Sequence, residues 1–150
     1  MPIVAWIDDR VQWIDPFPWR LRMDGAELDL DAIRALPQDT VTAVLDCTGA
    51  WYAEQAWEGV RLDRLVHPGP GEWRSIEVRS ATGYSRLFPL SDLDRLWLAN
   101  RVGGAPLSPG HGYPARIVAP GRRGFWWVKW VVSVRLSTTP WWRQPPFPLT

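Results

Sequence analysis

Hydrophobic and polar positions alternate in short runs along the first half of the chain, interrupted by glycine and proline. Trp19-Arg-Leu-Arg-Met23 puts apolar side chains on one face and arginines on the other, predicting a half-buried strand that turns at Asp24-Gly25. Asp29 to Leu36 predicts a short helix, with acidic residues in its first turn and Pro37 closing it. Thr40 to Cys47 predicts a strand with Val41, Ala43, Leu45 and Cys47 on one face. Cys47 then stands at a strand end, ahead of a Gly-containing loop, where a side chain can face a cleft. Trp51 to Trp57 reads as that loop, Leu62 to Val66 as a helical turn, and His67-Pro-Gly-Pro-Gly71 as a rigid open turn with His67 at the surface.

Further on, Ile76 to Ser80 and Tyr84 to Phe88 predict paired strands around Thr82-Gly83. Ser91-Asp-Leu-Asp94 has capping-box spacing and predicts a helix to about Leu98. Residues 99–114 form a Gly/Pro-rich loop longer than a connection needs, which points to a functional loop. Arg116 to Ala119 and Phe125 to Ser137 are the closing strands. Residues 1–18 have no clean period and read as a lead-in segment, residues 19–137 as the domain, and residues 138–150 as an irregular Pro/Trp-rich tail. The fold class is α+β, mixed β-sheets with short helices, without the regular strand–helix alternation of a doubly wound sheet. Neither Gly-x-Gly-x-x-Gly nor a P-loop is present, which argues against nucleotide binding by those routes.

One charge breaks the most hydrophobic stretch, Phe125-Trp-Trp-Val-Lys-Trp-Val-Val132. A strand apolar on both faces is buried on both, and an unmatched ammonium there costs roughly several kcal/mol. The segment follows His111-Gly-Tyr-Pro-Ala-Arg116, so an imidazole, a guanidinium and the Lys129 ammonium converge, as in proteins that hold phosphates. Taken alone, Lys129 is better explained by snorkelling to a sheet edge or by pairing with a carboxylate such as Asp46.

Composition narrows the chemistry. The 150 residues fit one domain, and a formal net charge of +1 gives no argument for nucleic acid or an acidic membrane surface. A single cysteine excludes an internal disulfide, Cys-rich zinc or iron–sulfur sites and a Cys-x-x-Cys-His haem attachment. Cys47 is therefore a small buried hydrophobe or a singular ligand or nucleophile. Met1 to Ile7 is apolar but is stopped by Asp8-Asp9-Arg10, too short for a signal or spanning segment. A complete chain would then be cytoplasmic, and a fragment of a membrane-anchored protein would be extracytoplasmic. Twelve tryptophans exceed what a core of this size needs, so a stacking platform for sugars or aromatic ligands is an alternative use.

The order of Leu45-Asp-Cys-Thr-Gly49, Trp57-Glu-Gly-Val60, Tyr84-Ser-Arg-Leu-Phe-Pro89, His111-Gly-Tyr-Pro-Ala-Arg116 and Gly124 to Trp130 resembles the molybdopterin-binding domain of the sulfite oxidase family. The resemblance covers residues 19–137 and is carried most specifically by His-Gly-x-Pro-x-Arg and a later Val-Lys-Trp, downstream of one cysteine. It implies a sulfite-oxidase-like fold and a molybdenum–molybdopterin oxidoreductase moving an oxygen atom with two electrons. Cys47 would be the metal ligand, a soft thiolate suited to such a metal. His111, Arg116 and Lys129 would hold the pterin and its phosphate, and Tyr84 would face the metal's oxygen ligands. Trp51, Trp57 and Trp130 would pack around the cofactor. The resemblance further implies a small-molecule substrate and an external or fused redox partner, such as a membrane cytochrome, since no haem, flavin or cluster motif is present.

Two departures qualify this. Sulfite oxidases and plant nitrate reductases follow the ligand with Cys-x-x-Asn-Arg-Arg, whereas this chain reads Cys47-Thr-Gly-Ala-Trp-Tyr52. Without those arginines the pocket suits an uncharged sulfoxide, as in the family's bacterial methionine-sulfoxide reductases, better than sulfite or nitrate. The family's longer N-terminal portion, which carries cofactor contacts, has no evident counterpart in residues 1–18. A non-catalytic Trp-rich binding module that keeps the fold without the cofactor is the alternative function.

Overall fold

The computed structural model describes residues 10–47 and 51–146, with main chain alone for residues 46, 47 and 51–53. Strand β1 (Leu21–Met23) turns at Asp24-Gly25 into β2 (Ala26–Leu28). Helix α1 (Leu30–Ala35) starts at Asp29, whose carboxylate accepts the Ala32 amide at 2.7 Å, and buries Leu30 and Ile33. Next come β3 (Asp39–Cys47), β4 (Trp51–Arg61), β5 (Ser75–Ser80), β6 (Ser85–Pro89), β7 (Trp97–Val102), β8 (Ala105–Pro106), β9 (Arg116–Val118) and β10 (Val131–Ser137). Single 3-10 turns connect several of them.

The strands form two sheets. One has the order β2-β1-β10-β5-β6, with β1 parallel to β10 and the other neighbours antiparallel. The other runs β3-β4-β7, and the far edge of β7 is shared by β8 at Arg101–Val102 and β9 at Trp97–Ala99. Leu21, Ile76, Val78, Phe88 and Val134 from the first sheet join Val60, Leu98, Ile117 and Val118 from the second in one core cluster. Mixed sheets with few short helices are what the sequence predicts.

Four local expectations are corrected. Trp51 to Trp57 is not a loop: all of it belongs to β4, which pairs with β3 from Cys47↔Trp51 to Asp39↔Gly59. Pairing with β3 along the whole stretch decides this, and β7 joins on the other side from Trp57 onwards. The helix expected over 91–98 shrinks to a 3-10 turn, Leu90–Arg95, without a side-chain cap. Arg122 claims the Asp92 carboxylate at 2.6 Å, and Trp97 onwards joins the sheet instead. The loop of 99–114 is shorter at its start, because Gly103 and Gly104, with φ of 60° and 80°, turn β7 into β8. Finally, Phe125 to Trp130 is not strand: Gly124–Trp126 is a 3-10 turn, Trp130 sits at φ 53°, and β10 begins at Val131.

The C-terminal segment is tied to the first sheet's open edge. Gln144 accepts the Leu87 amide at 2.7 Å and donates to the Leu87 carbonyl at 2.6 Å, imitating a neighbouring strand along β6.

Candidate functional site

Between β8 and β9 the chain makes a compact loop. Ser108 leads a 3-10 turn over Pro109–His111, Gly112 takes φ 111°, and the Tyr113–Pro114 bond is cis. Ser108 Oγ and His111 Nδ1 are 2.5 Å apart, which fixes the imidazole to its own loop. A Cβ on Gly112 would stand 2.9 Å from Arg116 Cβ and 3.3 Å from both Cβ and Cγ of Lys129. A glycine is therefore required both for the backbone angle and for close approach. The loop lies flat across the roots of both cationic side chains.

Arg116 is 3% exposed. Its Nη1 donates to the His111 carbonyl at 2.9 Å, and Nη2 and Nε lie at 3.4 and 3.5 Å from the carbonyls of Trp127 and Ile117. Its Cζ is 4.9 Å from the Trp57 ring centroid and 5.7 Å from that of Trp127. No carboxylate pairs with it among the described residues. Burial pushes its pKa down to about 9, so the guanidinium is still cationic at neutral pH. Of five N–H groups three point at carbonyls, which leaves donor capacity for an anion.

Lys129 reaches the same loop from the other side. Its Nζ donates to the Gly110 carbonyl at 3.2 Å and lies 4.6 Å from the Trp130 ring centroid. The left-handed backbone at Trp130 is a conformation that a bulky residue rarely adopts, and hydrogen bonds hold it from two directions. Trp130 Nε1 donates to the Pro109 carbonyl at 2.7 Å, and the Trp130 carbonyl accepts from the Ala81 amide at 2.7 Å. The structure thus gathers His111, Arg116 and Lys129 at one loop, although 18 positions separate the first from the last (129 − 111). Lys129 is also the only lysine in the chain.

Tyr84 stands apart from that trio, just before β6, and its phenol donates to the Phe125 carbonyl. The 3-10 turn carrying Phe125 packs against β3. Two residues on, Arg86 points into the core, 3% exposed, its Cζ 4.3 Å from the Trp126 ring centroid and 5.3 Å from that of Phe125. Nη1 donates to the Pro145 carbonyl at 3.0 Å, while Nε and Nη2 are buried without a hydrogen-bond partner. Burial lowers its pKa, with Tyr84 acting in the opposite direction. Sequence reasoning overlooked Arg86; its signal was an arginine on the inward alternation Tyr84, Arg86, Phe88.

Cys47 ends β3, its main chain paired with Trp51. The side chains of Asp46, Cys47 and Trp51, with all of residues 48–50, lie outside the described residues. The aromatic shell is clearer: Trp57 and Trp127 stack edge to face at 5.8 Å around the Arg116 guanidinium.

A sequence profile of the oxidoreductase molybdopterin binding domain matches residues 9–144. The chain belongs to that family. It is 31% identical over 157 residues to mitochondrial sulfite oxidase of Drosophila melanogaster, covering 81% of this chain and 27% of that protein. Against mitochondrial sulfite oxidase of Homo sapiens the identity is 26% over 163 residues, covering 83% and 30%. The chain thus spans less than a third of the length of these curated relatives. Among solved structures, the sulfane dehydrogenase SoxCD from Paracoccus pantotrophus superposes with a TM-score of 0.77 at 24% identity, covering 86% of this chain and 40% of that one. That likeness establishes the sulfite-oxidase-like fold.

Proposed function

We propose that this molybdopterin-binding domain works as a molybdenum–molybdopterin oxidoreductase on a small uncharged substrate, of sulfoxide rather than sulfite type. The observation that carries the cofactor reading is Arg116: a desolvated cation, held by carbonyls and tryptophan rings, bonded to the same loop as a second cation, Lys129. Such a donor set fits an anionic group and would be a poor choice for stability alone, since a buried charge without an anion is costly. Arg116 would grip the pterin's phosphate, Lys129 would supply a point charge beside it, and His111 would donate from the ring nitrogen not engaged by Ser108. Cys47 would ligate the metal from the end of β3. When bound, the cofactor supplies two-electron oxygen-atom transfer at molybdenum.

The remaining roles fall to this chain's own side chains. Tyr84 would orient the substrate by exchanging the Phe125 carbonyl for a substrate oxygen as acceptor. Trp57 and Trp127 would keep water from the Arg116 guanidinium. The preference for an uncharged substrate is supported by the stretch after Cys47, where Ala50-Trp51-Tyr52 replaces an amide and two guanidinium groups. Electrons would be exchanged with an external or fused redox partner. The rival reading, a Trp-rich recognition surface, would have to rest on the exposed Trp13, Trp73, Trp141 and Trp142, because Trp19, Trp57, Trp126, Trp127 and Trp130 are buried.

The test is molybdenum and pterin content of protein from a cofactor-producing host. Near-stoichiometric metal in the wild type, lost in Cys47→Ser with the fold retained, supports the reading. Metal-free wild type from such a host, or metal retained in the Ser variant, sinks it.

A further inference from the structure

The outer face of the β2-β1-β10-β5-β6 sheet carries four arginines against two carboxylates, Glu27 and Glu77. Alternation turns Leu21, Val78 and Val134 inward and leaves Arg22, Arg79 and Arg135 exposed. The register aligns them: Arg22 and Arg79 both lie opposite Ser133, on β1 and β5, and Arg135 follows Ser133 by two on the central strand. Arg20, exposed just before β1, shares this face. The four border a cleft of about 590 Å³ whose lining contains no carboxylate. In a chain with 17 basic and 16 acidic residues, this is segregation of charge and not a surplus.

Local carboxylates offset it incompletely. Glu27 meets Arg22 at 3.6 Å and Glu77 meets Arg79 at 3.2 Å, both pairs largely solvated and easily exchanged. Arg20 donates to the carbonyls of Phe17 and Trp19, and Arg135 has no ion-pair partner among the described residues. At the floor of the cleft the Ser80 hydroxyl is engaged by the Thr82 amide and hydroxyl. The guanidinium groups are spread over three strands, each roughly 4.8 Å from the next, and do not converge on a point. The aromatic side chain lining the cleft, Trp19, is 5% exposed and donates to the Val131 carbonyl at 3.2 Å, while Phe17 beside it is exposed.

We propose that this arginine face is the docking surface for a protein partner that presents an acidic face. Planar guanidinium forks suit bidentate capture of surface carboxylates, and complementary charge steers encounter. On the functional reading above, which this step needs only for the partner's identity, that partner is the electron carrier. The position favours it. Ala81 and Val132 line the cleft, and the Ala81 amide bonds to the Trp130 carbonyl directly behind Lys129. A partner seated here would lie one residue's thickness from the loop that gathers His111, Arg116 and Lys129.

The experiment is titration of the purified chain with an acidic c-type cytochrome, with a basic c-type cytochrome, a double-stranded DNA fragment and inorganic phosphate as comparison probes. Saturable binding of the acidic cytochrome is expected, with affinity falling steeply from about 20 to about 200 mM salt. Arg22→Glu/Arg79→Glu/Arg135→Glu should weaken it by about tenfold or more, and Arg135→Glu, a single exposed change, by about threefold. The unfolding temperature of each variant reports that it is folded. Equal binding of both cytochromes, undiminished binding in the variants, or no binding of the acidic cytochrome overturns the proposal. DNA alone binding, or phosphate at about 10 mM displacing the cytochrome at constant ionic strength, does so too. Molybdenum content measured on the same samples separates this outcome from failure of the oxidoreductase reading, because docking does not require the metal.

Discussion

Arg116 Cζ lies 4.9 Å from the centroid of the Trp57 ring, although the two residues sit on β9 and β4, strands separated by β7. Trp57 is 1% exposed, and with Trp127 it forms an aromatic cage around a guanidinium. A cation enclosed in this way keeps its charge but loses its water, which strengthens its attraction for an anion that arrives without displacing solvent.

Gly112→Ala should loosen this arrangement without touching a charged group. The left-handed backbone disfavours alanine, and its Cβ would press against the Arg116 and Lys129 stems. A loss of about 1–3 kcal/mol in stability is expected, visible as a lower unfolding temperature, together with reduced molybdenum content. A variant with unchanged stability and full metal would show that the tight loop is dispensable.

Because Lys129 is the only lysine, an amine-directed reagent can modify two places at most, this side chain and the chain's amino terminus. Peptide mass analysis should find Lys129 labelled in cofactor-free protein and protected in cofactor-loaded protein. Lys129→Gln should retain the fold and lower cofactor occupancy by about tenfold, the loss of one charge-assisted contact. Equal labelling in both forms would count against a cofactor contact for Lys129.

Asp39 offers a pH-dependent check on the second sheet. The Trp97 indole donates to it at 2.9 Å and Arg64 pairs with it at 3.1 Å. The Trp97 hydrogen bond is the main reason its pKa is held below the ordinary value of 3.8; burial opposes this and Arg64 adds to it. A depressed carboxyl pKa stabilises the fold above about pH 3.8, and that contribution disappears as pH falls through the folded value. Asp39→Asn should therefore be less stable than wild type at pH 6, by up to about 1 kcal/mol given the carboxylate's partial exposure. The difference should shrink as pH falls below 3.8 and through the folded value, as denaturant titrations over a series of pH values would show.

Legibility in the sequence followed the range of the forces involved. Tyr84 to Phe88 and Ile76 to Ser80 were readable because alternation and an adjacent turn are local. The stretch from Trp51 to Trp57 was not: its strand character comes from its register with β3, β7 joining only at Trp57, and no clean alternation within it marks that pairing. The Ser91-Asp-Leu-Asp94 signal misled because the turn begins at Leu90 without a side-chain cap and Trp97 onwards is drawn into the sheet. At the site, His111, Arg116 and Lys129 were legible as a motif, and the structure does bring them together. Arg86 was overlooked although the alternation Tyr84, Arg86, Phe88 places it on the inward face of β6.

Gln144's double grip on Leu87 has a practical corollary for anyone handling this chain. Shortening it ahead of that glutamine would strip the seal from β6 and bare a row of amides and carbonyls able to template another molecule. Such a trimmed version would be prone to stacking into oligomers through this rim, so purification tags belong beyond the glutamine and never in its place.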